Sequence, residues 1–350
     1  MQTNGQQKEF SGEAYSKYFR DKSHLRFIQK EIISIIGRDN LKFIHSQNIF
    51  LDCLAIILVV SGFLGCIAGI YYLPIGIQTV LLGILVGLFL TLMGLINHDL
   101  FVHRRTFGST GSWIGSIFLT TPLGLSSSGY AQTHLAHHVH IGTRKDTEVY
   151  KQDLDTFLKR LFFCTFLGFK FATNGFWAKE KRPKYFEVRS SSKVLRKRYI
   201  IESVIRTVFF IGVGIGCFFM PKLFLVGYLL PAIIVVPILN SLRIIIEHGE
   251  VNPDNPWHNS TYYRTGFITR PIFLWDSGDC HLIHHLFPAI PFYRISRALE
   301  LIDPILQKNG VVPRHSYLEL LKGWFIDCNE HRSLWPRNSA EAVATKSECK

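Results

Sequence analysis

The residues most able to do chemistry are histidines. His281-Leu-Ile-His284-His285 has the spacing i, i+3, i+4, and the same spacing recurs at His134-Leu-Ala-His137-His138. At roughly 100° per helical residue these positions fall within about a 100° sector, so all three imidazoles of each box can point at one centre. A third cluster, His98-Asp-Leu-Phe-Val-His103, precedes both. Its i, i+5 spacing leaves the two rings about 140° apart on an ideal α-helix, so convergence needs a π-bulge, a helix end or two ions bound on either side. The three clusters offer eight candidate ligands, too many for one ion with an open position, and two metals sharing them is the economical solution. Sites rich in imidazole and free of thiolate suit zinc, copper, iron or nickel, so ligand type alone does not select the metal. His248 is a further candidate, read against a histidine that caps a helix end through its carbonyls. His24, His45, His258, His315 and His331 are isolated and read as ordinary side chains, and His140 points away from the face of its box.

Ligating histidines normally donate their other ring N–H to a carboxylate or carbonyl. Asp99, Asp146, Glu148, Glu247, Asp276 and Asp279 lie near the clusters in sequence. Asp146 and Glu148 are the favoured outer partners, with Glu247 and Asp276 beside them. The seven cysteines are scattered, without a CxxC pair. That suits unpaired thiols in a reducing or membrane environment, and Cys280 reads as a small packed side chain.

The elements that must position these histidines are apolar. Four runs approach the ~20 residues needed to cross the hydrocarbon core: about 49–72, 75–96, 203–220 and 223–246. Asp52 lies near the start of the first, and Arg206 and Arg243 near the ends of the later ones. Only a few residues separate the members of each pair, including Pro74 or Pro221. The expected fold is therefore an all-α membrane protein, with four transmembrane helices in two hairpins and a cytosolic helical cap carrying the histidine boxes. Lysine and arginine are dense in residues 1–48, in 104–198 and from Arg264 onward, whereas the short hairpin turns offer only Lys222. The positive-inside rule puts both termini and the central segment on the cytosolic side. The net charge of +13 follows mostly from this distribution. It indicates anionic headgroups or an acidic electron carrier as partners, not nucleic acid.

Three parts are expected. Residues 1–48 form a cytosolic segment in which Phe27, Ile28, Ile32, Ile35 and Ile36 recur at helical spacing, on the membrane face or packed on the soluble part. Residues 49–305 form the membrane domain, and 306–350 a tail. Trp113 to Leu125 is apolar but too short to cross, so it is re-entrant or buried. Phe157 to Trp177 suits an interfacial helix, and 179–198 a basic connector.

The clusters at 98–103, 134–138 and 281–285, set among paired spans, resemble those of the membrane fatty acid desaturase and hydroxylase superfamily. His134-Leu-Ala-His-His-Val-His-Ile-Gly-Thr-Arg-Lys-Asp146-Thr-Glu148 is similar to that family's second box with its acidic pair. Trp275-Asp-Ser-Gly-Asp-Cys-His281-Leu-Ile-His-His-Leu-Phe-Pro288 is similar to its third. Glu247-His248-Gly249 resembles the extra histidine after the fourth span, seen also in alkane hydroxylases. The resemblance implies a non-haem di-iron centre, with O2 as co-substrate, that removes hydrogen from an unactivated C–H bond of an acyl chain drawn from the bilayer. Loss of a second hydrogen gives a double bond, whereas oxygen rebound gives an alcohol. The leading expectation is a desaturase, and the alternative a hydroxylase or ketolase acting on a carotenoid, alkane or other lipid. A metal transporter or sensor is the distant alternative, disfavoured because transport needs ionisable groups deep in the spans. No His-Pro-Gly-Gly haem segment occurs in the sequence, so the resemblance implies a separate ferredoxin-like or cytochrome b5-like electron donor.

Overall fold

The computed structural model describes residues 22–140, 193–248, 257, 260–264, 280–313, 315–318 and 322. The segment Phe157 to Trp177, most of the basic connector and the end of the C-terminal tail lie outside these residues. Among the described residues the regular elements are helices. They divide into two compact units, one drawn from 47–132 and 193–243 and the other from 22–46, 133–140 and 244–322.

The first of these units is the apolar one. Helix α3 (Ile49–Tyr72) starts at Asn48, whose Oδ1 accepts the backbone N–H of Phe50 and Leu51 at 3.0 and 3.3 Å. That satisfies two of the amides a helix start leaves without intrahelical partners. Helix α4 (Ile77–Ile96) packs against α3, with Phe89 over Gly62, where a side chain would collide with the ring. Helix α7 (Lys193–Phe219) begins about ten residues before its apolar run. Its first turns are built from Lys, Leu, Arg and Tyr, most of them good helix formers, so the helix extends into what read as a basic connector.

After Pro221 the chain winds wide, as π-helix over Lys222–Leu229 and Pro231–Val235, before returning to α8 (Val236–His248). Pro231 lacks an N–H and its ring crowds the carbonyl four residues back, which an α-helix does not tolerate and a wider turn does. Among the described residues four helices are long and apolar enough to cross a membrane, within Arg38–Tyr72, Ile77–His103, Lys193–Phe219 and Lys222–Asn240. Their outer faces expose Ile57, Leu58, Leu64, Val208, Ile211 and Ile215. So large an apolar surface is a liability in water and the natural one in lipid.

Helix α5 (Gly108–Thr120) covers part of the expected short apolar segment. It buries Ser112, Ser116, Leu119 and Thr120 and exposes Ile114 and Phe118. Helix α6 (Ser127–His140) follows.

The other unit has a conventional core. Helices α1 (Lys22–Ile36) and α2 (Arg38–Ile44) are separated by Gly37, whose φ of 79° is left-handed backbone that favours glycine. Ile28, Ile32 and Ile36 form an i, i+4, i+8 stripe. With Ile44 they pack into one cluster with Leu282, Ile283 and Leu286 of the short helix α9 (His281–Leu286) and with Ala298, Ile302 and Leu306 of α10 (Ile295–Lys308). Of the two placements open to the amphipathic segment, these isoleucines take the packed one. Phe27 and Ile35 stay exposed. Each fully buried isoleucine contributes about 1.5–3 kcal/mol.

Candidate metal centre

The first cluster sits at the end of α4. The chain does not continue as an α-helix there but widens to π-helix over Asn97–His103. Closing i→i+5 hydrogen bonds brings His98 and His103 toward one side, and their ring centroids lie 4.7 Å apart at 78°.

The backbone N–H of Arg104 donates to the Asp99 carbonyl at 3.2 Å. Its side chain returns to the Asp99 carboxylate through Nε and Nη2, at 3.2 and 2.7 Å. The same guanidinium forks onto Asp52 of α3, with Nη1 and Nη2 at 3.0 and 2.7 Å from its two oxygens. Asp52 and Arg104 carry no side-chain exposure. Burial works against the Arg104 charge, but hydrogen bonds to Asp52 and the nearby Asp99 outweigh it and hold the guanidinium above its ordinary pKa.

The start of α6, the helix that carries the second box, is held by another buried acid. The Glu202 carboxylate of α7 accepts from Trp113 Nε1 at 2.7 Å, Ser126 Oγ at 2.6 Å, Ser128 Oγ at 2.6 Å and the Ser128 backbone N–H. Ser126 Oγ in turn accepts the N–H of Gly129 at 3.0 Å, which makes it the N-cap of α6. An ionised carboxylate has only acceptor sites, about four in number, and every group facing this one is a donor. Neither Asp52 nor Glu202 stood out in the sequence as part of a site. Asp52 read as a flaw in an apolar run, and Glu202 precedes its run by a single residue. The available signal was an acid at the margin of a membrane span.

In the other unit the second and third boxes come together. His134 Nε2 and His138 Nε2 are 2.9 Å apart, and His138 Nε2 also faces His284 Nε2 at 3.2 Å. His285 Nε2 lies 3.0 Å from His281 Nε2. The His138 and His285 rings stack at 4.3 Å, and His137 meets His285 edge-on at 5.2 Å. Ligand nitrogens of His134, His138 and His284 all lie within 4.8 Å of one another, and His134, His137, His281, His284 and His285 are buried. A neutral imidazole carries one lone pair and one N–H. His138 Nε2 facing two other Nε2 atoms is a crowd of like groups that a cation resolves by accepting all their lone pairs. The donor set fits a divalent transition metal on those grounds.

Glu247, in the last turn of α8, faces the opposite nitrogen of His281, with Oε1 3.8 Å from Nδ1. Around it the backbone is tied down. Ser260 Oγ and the Thr261 N–H donate to the Glu247 carbonyl at 2.7 and 3.3 Å, Thr261 Oγ1 donates to the Ile246 carbonyl, and the Leu282 N–H donates to the Thr261 carbonyl at 3.1 Å. Below the third box Tyr262 donates to Asp303 at 2.7 Å. Burial, and then the hydrogen bond to Asp303, pushes its phenol well above the ordinary value, so it stays a donor. Cys280 is buried beside the box. His248 ends α8, but its side chain lies outside those described, and Asp146, Glu148 and Asp276 lie outside the described residues altogether.

The family profile described as "Fatty acid desaturase" matches residues 75–317, which include all three histidine clusters. The chain is 29% identical over 210 residues to a chloroplastic omega-3 fatty acid desaturase of Glycine max, covering 54% of this chain and 46% of that one. It is 32% identical over 136 residues to an endoplasmic reticulum omega-3 fatty acid desaturase of Vigna radiata var. radiata, covering 34% of each. The chain thus spans less than half the length of the curated relatives it matches. With two-thirds of its residues inside the family profile, and with membrane-length helices flanking clustered imidazoles, the chain belongs to the fatty acid desaturase family.

Proposed function

We propose that this chain is an integral membrane acyl-chain desaturase that uses two irons and O2 to convert a C–C single bond of a lipid chain into a C=C bond. The observation that carries the reading is the convergence of thiolate-free imidazole nitrogens from His134, His138 and His284, two of them buried and His138 half-buried, in a chain whose family relatives are named fatty acid desaturases. His98, His103, His134, His137, His138, His248, His281, His284 and His285 are the proposed ligands. The irons, when bound, supply O2 activation and the oxidant that removes hydrogen from an unactivated C–H bond.

The protein's own part is orientation and exclusion of water. Glu247 lies on the Nδ1 side of His281, 3.8 Å away, and is assigned the outer-partner role: drawn in to hydrogen-bond distance when metal binds, it would fix the tautomer and leave the Nε2 lone pair for metal. Asp146, Glu148 and Asp276 are assigned the same task for other box histidines. Buried boxes keep water from the reacting carbon, and the apolar helices hold a hydrocarbon substrate that already partitions into the bilayer. Both termini and the boxes are assigned to the cytosolic side, where the basic flanks suit an acidic electron donor such as a ferredoxin-like or cytochrome b5-like protein.

Lipid profiling of cells expressing the full chain beside a His284→Ala variant tests this. A new unsaturated acyl chain that disappears in the variant is the expected result. The same lipid shift in both would overturn the assignment of the centre. An oxygenated product, lost in the variant, would keep the metal site and move the reaction to hydroxylation.

A further inference from the structure

The first histidine cluster depends on a backbone state that helices rarely hold. On an α-helix His98 and His103 would stand about 140° apart, yet over Asn97–His103 the wide turn brings their ring centroids to 4.7 Å. Arg104, the residue immediately after the turn, grips it twice. Its N–H closes an i→i+5 bond onto the Asp99 carbonyl, and its Nε and Nη2 hold the Asp99 carboxylate. Asp52, at the start of the first membrane-length helix, then fixes the guanidinium from the other side with a two-pronged contact. All three residues are more than nine-tenths buried, and the two acids outnumber the one base.

We propose that the Asp52–Arg104–Asp99 clamp is what keeps this segment wound wide, so that Asp52 and Arg104 are positioning residues for the His98 and His103 pair. Neither is a metal ligand. Opening the clamp lets the segment relax to an α-helix, which carries His103 away from His98. The clamp needs the shape of arginine as well as its charge. A planar guanidinium can fork onto one carboxylate and still reach a second, whereas a lysine ammonium is a compact point charge that cannot hold both in fixed geometry. The role in metal binding rests on the proposed function, but the clamp's hold on the backbone does not.

The test uses the purified full chain, with Arg104→Lys as the first variant because it keeps the buried positive charge. Two readouts are taken, amide hydrogen exchange over 97–106 in the metal-free protein and the affinity and visible ligand-field spectrum of added Co(II). The expected result is faster exchange across the turn, Co(II) binding weakened by about 10- to 100-fold, the usual range for an outer partner of a metal ligand, and an altered spectrum. A folded variant with wild-type protection, affinity and spectrum would overturn the proposal. If Arg104→Lys does not fold, the charge-free triple variant Asp52→Asn, Asp99→Asn, Arg104→Gln replaces it, with the same expectations and the same overturning result. Should the wild-type chain bind no Co(II), the metal function fails, and the exchange data alone then decide the clamp: lost protection supports it and unchanged protection refutes it.

Discussion

The first and third histidine boxes are held by opposite means. Around His98 and His103 the fixing contacts are ionic: one guanidinium, two carboxylates and no exposure of Asp52. Around His281, His284 and His285 they are apolar. Leu282, Ile283 and Leu286 alternate with the histidines on a six-residue helix too short to be stable alone, and they pack among Ile28, Ile32, Ile302 and Leu306. An apolar seat gives way in proportion to the volume removed. A charge clamp fails abruptly, because deleting one member strands the others in a medium that cannot solvate them. The chain therefore places a brittle fixing at the wide-wound box and a graded one at the α-helical box.

The contrast breaks most sharply at Arg104. Replacing Arg104 with Ala leaves two buried carboxylates without their cation and is expected to cost about 3–5 kcal/mol, read as a lower denaturation midpoint in detergent. In the apolar seat, Leu286→Ala is expected to cost about 2–5 kcal/mol, depending on how far the cavity collapses. That loss should leave hydrogen exchange over 97–106 unchanged, and altered protection there would show that the two fixings are not independent. Glu202→Gln belongs with the clamp, since it turns an acceptor toward a ring of donors as an N–H2 group. Leaving one donor unsatisfied costs about 1–3 kcal/mol, visible as faster exchange of the amides at 127–131. Ile32→Val, which trims one methylene from the seat, should cost only about 0.5–1.5 kcal/mol. An Ile32→Val loss equal to that of Arg104→Ala would erase the distinction.

What could be read from the sequence follows the same division. The HxxHH boxes and the four apolar runs were legible because helical spacing and run length are local properties. The wide turn at 98–103 was legible as a requirement, since five-residue spacing cannot converge on an α-helix, although which of several solutions the chain takes was not. The stripe Ile28, Ile32, Ile36 declared an amphipathic helix but not what it packs on, because lipid and a protein core reward the same pattern. The acids were opaque for a different reason. Asp52 meets Arg104 across fifty-two positions and Glu202 meets Ser128 across seventy-four. No spacing rule connects such residues, so each read as an isolated blemish or as nothing.

Helix α3 is fastened at both ends. Arg104 holds Asp52 in its first turn, and at the far end Lys222 Nζ donates to the carbonyls of Tyr71 and Leu73, at 2.8 Å each. At 24 residues it is about 36 Å long, more than most bilayers' oily interior. A helix gripped at both rims has little freedom to lean or slide when the surrounding membrane thins. The lipid beside it must deform instead, or the helices lacking such anchors must tilt.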